Sequence, residues 1–145
     1  MKSDIQIIGR TQHVSFPRLG IRMIEAKIDT GAFTGALHCH HISLVTIKGT
    51  KVLQFYLLDP GHPEYSEKRI RFKKFEIRKI KNSFGETEER FVIKTTIQIG
   101  DRRIKAHFSL TDRGSMKYPV LIGRRLLKNR YWVDVSCRQL IAATL

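Results

Sequence analysis

Met23-Ile24-Glu25-Ala26-Lys27-Ile28-Asp29-Thr30-Gly31-Ala32 is the stretch that decides the fold. In an extended chain Ile24, Ala26 and Ile28 share one face and Glu25 and Lys27 the other, the two-residue period of a half-buried strand. That strand delivers a carboxylate, a hydroxyl and a glycine into a loop. The same period recurs outward from it. Phe91, Ile93, Thr95, Ile97 and Ile99 alternate, Gly100-Asp101 offers a tight turn, and Ile104, Ala106, Phe108 and Leu110 alternate on the way back, which predicts a hairpin. Residues 42–47 and 52–58 flank Lys48-Gly49-Thr50-Lys51 as a second hairpin, and residues 131–135 read as a further strand. Phe72 and Phe75 suit either stacking aromatics interleaved with basic residues, as in nucleic-acid binders, or core positions of one bulged strand. Residues 59–63, Asp-Pro-Gly-His-Pro, read as a loop, and residues 124–129 as a short helix stopping near Asn129. Short strands at close turn spacing predict an all-β barrel or sandwich with one short C-terminal helix.

The chain has 145 residues, the length of one domain spanning 1–145 with a core that needs no staples. A hydrophobic fraction of 41% argues against disorder. No apolar run approaches the ~18 residues of a membrane span. Met1-Lys2-Ser3-Asp4-Ile5-Gln6 lacks the apolar stretch of a secretory signal, so a cytoplasmic protein with no membrane partner is expected. Cys39 and Cys137 lie far apart without a C-x-x-C pair and suit free thiols in a reducing compartment. Charge is the unusual feature: 27 Lys and Arg against 13 Asp and Glu, a net +14. Residues 68–81 hold eight basic residues and one acid, and residues 113–130 hold six and none. Such a field attracts nucleic acid or acidic peptides, although a merely solvated basic face has the same composition.

Asp29-Thr30-Gly31-Ala32 has the residue types of a carboxylate-based peptidase. Asp29 would hold a water against a second carboxylate, Thr30 would brace the loop, and Gly31 would let a partner loop approach where a Cβ would clash. Taken alone, the same residues also make an ordinary turn closing a strand. A second segment accompanies them: Val120-Leu121-Ile122-Gly123-Arg124-Arg125-Leu126-Leu127, an apolar strand ending in glycine and opening a helix.

An Asp-Thr-Gly strand loop with an apolar-apolar-Gly-Arg segment resembles the retropepsins, the retroviral type of aspartic peptidase. Nearly the whole chain is similar to a bacterial retropepsin-like family often named "ATP-dependent zinc protease", some members of which accompany an enzyme that adds glutamates to a ribosomal protein. Residues 26–38 carry that resemblance, with Lys81-Asn82-Ser83-Phe84-Gly85-Glu86, Leu110-Thr111-Asp112-Arg113 and Met116-Lys117-Tyr118-Pro119-Val120-Leu121-Ile122-Gly123-Arg124. It implies a closed acid-protease barrel, Asp29 as the catalytic group, and Thr30, Gly31, Ala32, Ile122, Gly123 and Arg124 as its loop support. A single Asp-Thr-Gly implies a homodimer. A flap is expected in the hairpin of residues 77–81 with 88–93, with Asn82, Ser83, Phe84 and Gly85 at its tip over a protein or peptide substrate, although an ordinary surface hairpin has the same pattern. The basic surface suits an acidic tail as that substrate.

Phe33 stands where the family usually has a basic residue, and Gly35 replaces a Ser, so the relatives' substrate preference does not carry over directly. Residues 50–75 are surplus to the minimal retroviral enzymes. The sequence has neither a G-x-x-x-x-G-K-[ST] loop for ATP nor an H-E-x-x-H set for zinc. His38-Cys39-His40-His41, if extended, points His38 and His40 one way and Cys39 and His41 the other, so one ion collects at most two of them. No metal and no cofactor are expected. The competing expectation is a non-catalytic basic β-barrel that binds RNA or an acidic peptide.

Overall fold

The computed structural model describes residues 4–81, 84–112, 117–139 and 141–143. Its strands in chain order are β1 (Gln6–Gly9), β2 (Thr11–Phe16), β3 (Ile21–Ile28), β4 (Gly35–Ile47), β5 (Thr50–Leu57), β6 (Ile70–Phe72), β7 (Glu76–Lys81), β8 (Thr87–Ile99), β9 (Arg102–Thr111), β10 (Val120–Ile122), β11 (Tyr131–Asp134) and β12 (Ile141–Ala143). A 3-10 turn (Pro17–Leu19) follows β2, and the helix α1 (Arg124–Leu127) follows β10. The protein is mostly β-strand with one short helix. No helix among the described residues is long and apolar enough to cross a membrane.

β10 organises the larger sheet. It runs parallel to β3 on one edge and antiparallel to β4 on the other. Neighbours therefore follow β3, β2, β8, β9 and β4, and return through β10 to β3. The long β8–β9 hairpin pairs from Val92 opposite Ser109 to Ile99 opposite Arg102. Beyond this circuit β5 and β6 extend from β4, and β7 pairs with β8. A smaller sheet of order β11-β1-β12 is tied to it by hydrogen bonds from Gln139 N–H to Thr11 O (3.0 Å) and from Ile28 N–H to Arg10 O (3.0 Å). Inward faces meet in one apolar core, with Phe16 edge-on to Phe108 at 5.3 Å between ring centres.

The alternating strands lie where periodicity puts them: Ile24, Ala26 and Ile28 are buried and Lys27 is exposed. Where burial is two-sided the pattern fails. β4 begins at Gly35, well before residue 42, and residues 35–39 are buried without alternation, Leu37 and Cys39 in the core and His38 against Asp59. A strand buried on both faces reads as a continuous run. Phe72 and Phe75 do pack against the core, on Phe55 and Phe91 respectively. They belong to no single bulged strand, because the chain leaves β6 at Phe72 and joins a different partner as β7. The helix closes at Leu127, earlier than 129, since Lys128 turns extended (ψ 128°) and Asn129 takes a left-handed φ of 64°. β1, β2 and β12 were not legible in the sequence.

Gly35 sits where β4 crosses closest to β10. A Cβ there would lie 2.5 Å from the Leu121 carbonyl oxygen and 3.0 Å from the Phe108 ring. Gly35→Ala is expected to cost about 1–3 kcal/mol, the usual range for overpacking, whereas Gly61→Ala, with nothing within 4 Å, should be near neutral. Thermal unfolding of the two variants against wild type checks this.

Candidate active site

Asp29 stands at the C-terminal end of β3, where the strand leaves its parallel pairing with β10. Its backbone N–H donates to Ile122 O at 2.8 Å, extending the ladder by one bond and holding the carboxylate at the rim. The loop then folds on itself: Gly31 N–H donates to Asp29 Oδ1 (3.1 Å) and Ala32 N–H to Asp29 O (3.2 Å). Asp29 is half-buried, and Thr30 and Gly31 are exposed.

The second segment grips this loop from behind. Arg124 N–H donates to Ala32 O (2.8 Å) and Arg125 N–H to Phe33 O (3.0 Å), so the first two amides of α1, which have no intrahelical acceptor, are used to hold the Asp29 loop. Arg124 also reaches Thr30 O through Nη1 at 3.4 Å. Such proximity requires Gly123: a Cβ there would lie 2.6 Å from Phe33 O and 2.9 Å from Ala32 O. Within the chain Gly31 is less confined, since its Cβ would meet only Asp29 Oδ1, at 3.3 Å. Residues 29–32 and 122–124 thus form one bonded unit.

Sequence reasoning missed the role of Arg125 and the placement of Phe33. The Phe33 ring, 53% exposed, lies under both guanidiniums, with Arg124 at 5.6 Å and Arg125 at 5.8 Å from its centre. An aromatic at position 33 followed by paired arginines 90 residues later offers no linear signal, because the contact exists only once Gly123 meets the loop.

The hairpin expected to serve as a flap is formed by β7 and β8, paired from Glu76 opposite Val92 to Lys81 opposite Thr87. Asn82 and Ser83 lie outside the described residues. Phe84 is 87% exposed at the tip, and Gly85 takes the left-handed φ of 83° that its turn needs. None of the hydrogen bonds of the Asp29 loop given above reaches this tip.

The histidine run is occupied by separate partners. His38, 3% exposed, holds Asp59 Oδ1 through Nε2 at 2.8 Å, and His40 Nδ1 lies 2.7 Å from Leu58 O. His40 also stacks between Tyr56 and Tyr65. The extended run breaks at His41, which has a φ of 52°. Burial holds the Cys39 thiol well above its ordinary pKa and so in its protonated form. Among the described residues no three His, Cys, Asp or Glu side chains come together in a way that could hold a metal ion.

Known proteins share these features. "Probable alpha-L-glutamate ligase" proteins of Shewanella pealeana and Shewanella halifaxensis are each 36% identical over 140 residues, covering 94% of this chain and 30% of theirs. The chain thus spans under a third of the length of these curated relatives. In fold it is similar to the crystal structure of Lpg0085, a protein of unknown function from Legionella pneumophila, with a TM-score of 0.70 at 24% identity, covering 94% of this chain and 98% of that one. The family described as "Retropepsin-like aspartic endopeptidase RimB" matches residues 7–144, so an Asp-Thr-Gly loop clamped by Ile-Gly-Arg is found in a chain that belongs to the RimB-like family.

Proposed function

We propose that the protein is an aspartic peptidase whose residues 1–145 form one closed acid-protease barrel, acting in the cytoplasm as a homodimer on an acidic protein tail. The observation that carries this reading is the clamp: Asp29 is presented at the rim by the bond to Ile122 and by the Gly123–Arg124 grip on its loop. One chain offers one such carboxylate. A two-fold axis beside Gly31, whose outer side is open, would bring a second Asp29 opposite the first.

In that pair two carboxyls a few ångströms apart share one proton, because both cannot ionise easily at that separation. The ionised member takes a proton from a water held between them as the water attacks the scissile carbonyl. The protonated member donates to the carbonyl oxygen, and a proton then passes to the leaving amine. Neither metal nor nucleotide enters this chemistry. The β7–β8 hairpin, with Phe84 and Gly85 at its described tip, would close over the peptide and exclude water.

Charge and the relatives support this substrate class. A chain of net +14 attracts acidic segments, and the relatives named as glutamate ligases connect the shared segment to glutamyl peptides. Ligation belongs to those proteins as wholes, of which the shared segment is 30%. A non-catalytic binding module, for RNA or an acidic peptide, is the second reading, favoured by the charge alone.

Asp29→Asn is expected to keep the fold and to lower peptide hydrolysis by at least ~10³-fold, because an amide can neither share the proton nor activate water. Retained cleavage by the purified variant would refute the assignment. The wild-type rate should be bell-shaped in pH, with its optimum on the acid side of neutral, and unchanged by EDTA or ATP. For an acidic peptide kcat/KM should fall as salt shortens electrostatic reach to ~8 Å at physiological ionic strength, while a neutral peptide should show little change. Tight RNA binding without cleavage of any peptide would establish the second reading.

A further inference from the structure

The two linear basic runs do not form two separate patches. Parts of both converge on the outward face of the β8–β9 hairpin, where no sequence cluster lies. On this hairpin Ile93, Thr95 and Ile97 of β8 and Ile104, Ala106 and Phe108 of β9 face the core. The opposite face therefore carries Lys94 beside His107 and Thr96 beside Lys105, cross-strand neighbours in the ladder. Two adjoining hollows share Lys94 and Lys105. One, about 220 Å³, adds His107, Arg125 and Arg130, and is closed by Phe33 and Gly123. The other, about 550 Å³, adds Arg18, Arg71 and Lys74 above an apolar floor of Leu19, Ile70 and Phe72.

No carboxylate lines either hollow, and none of these lysines and arginines makes an ion pair with a carboxylate among the described residues. The nearest acid, Glu76, is engaged by Arg78 and by His107. His107 itself registers the field: burial and then the Arg125 guanidinium hold its pKa below the ordinary histidine value, with Arg78 and Lys94 adding to that effect against Glu76. The surplus segment 50–75 gains a role here, since β6 and the residues just after it form one wall.

We propose that this groove is a second binding site, for the carboxylates of an extended acidic polypeptide, lying outside the cleft and leading to it. Cations without a carboxylate partner along a concave surface match a run of closely spaced carboxylates. The apolar floor suits the methylene stems of glutamate side chains. Nucleic acid fits less well. Phe72 stacks on Phe55 and Phe33 lies under two guanidiniums, so the groove lacks the row of free rings on which single-strand binders stack bases. Its narrow end is formed by Phe33 and Gly123, which directly follow the Asp29 loop and Ile122. A tail held in the groove is thereby fed towards Asp29. The feeding role rests on the peptidase reading, whereas binding does not.

Binding is measured by fluorescence anisotropy of a labelled oligoglutamate peptide on the Asp29→Asn protein, which separates affinity from hydrolysis. Lys94→Gln with Lys105→Gln should weaken binding about tenfold at low salt, the order expected for two exposed ion pairs. Lys48→Gln with Lys51→Gln removes the same charge from the exposed end of the β4–β5 hairpin, outside both the groove and the β7–β8 hairpin, and should change affinity less than threefold. Both positions of the first pair are exposed strand sites, and matched circular dichroism melts confirm that folding is intact. Equal losses from the two pairs would overturn the groove in favour of net charge. A single-stranded RNA of equal length bound more tightly than oligoglutamate, and lost with Lys94 and Lys105, would overturn the polypeptide assignment. Wild-type cleavage of the peptide without groove-dependent binding would overturn the groove alone. Groove-dependent binding without wild-type cleavage of this peptide would support the groove and refute its feeding role.

Discussion

The structure depends on β10 being hydrogen-bonded on both edges. Three residues, Val120 to Ile122, join β3 to β4 and return the order of neighbours to its start. The same short strand carries the carbonyl that receives Asp29 N–H and is followed at once by Gly123. Architecture and candidate chemistry are therefore built from one element. Two close approaches make it possible, at Gly35 and at Gly123, and both would bring a side chain against backbone carbonyl oxygens. Backbone in a paired strand has little freedom to retreat, so these glycines are demanded by space rather than by a left-handed turn.

The clamp also explains why α1 is only four residues long and still matters. A helix of that length has little intrinsic stability. Its leading amides are bonded to Ala32 and Phe33, and Leu126 and Leu127 are buried in the core. Packing and the loop, more than helix propensity, hold it in place. Its arginines then serve two sides, with Arg124 turned to the Asp29 loop and Arg125 shared between the Phe33 ring and the basic hollow.

Charge is placed with similar economy. The carboxylates of Glu76, Glu88 and Glu64 are engaged by Arg78, Arg90 and Arg22, while the paired stretches Val92–Ile99 of β8 and Arg102–Ser109 of β9 contain no acid. The surplus segment after β5 packs Phe72 on Phe55 and so brings Arg71 and Lys74 alongside that face. A segment whose role the sequence left open thus supplies one wall of the basic groove.

Local chemistry by itself determined much of this protein. Alternation identified β3, β8 and β9 because each has one face in the core, and burial on one face writes a two-residue period into the chain. Asp29 and Gly123 were visible because special residue types stand at the ends of apolar runs. Tertiary structure decided the rest. Residues 35–39 show no period because they are enclosed on both sides, and His38, His40 and Asp59 find their partners only after β4 and β5 pair. The basic groove is the clearest case. Arg18, Arg71, Lys94, Lys105 and Arg125 are scattered over a hundred residues, and no spacing rule links them. They become one surface because strand pairing turns Lys94 and Lys105 outward and packs a turn, a short strand and a helix around them.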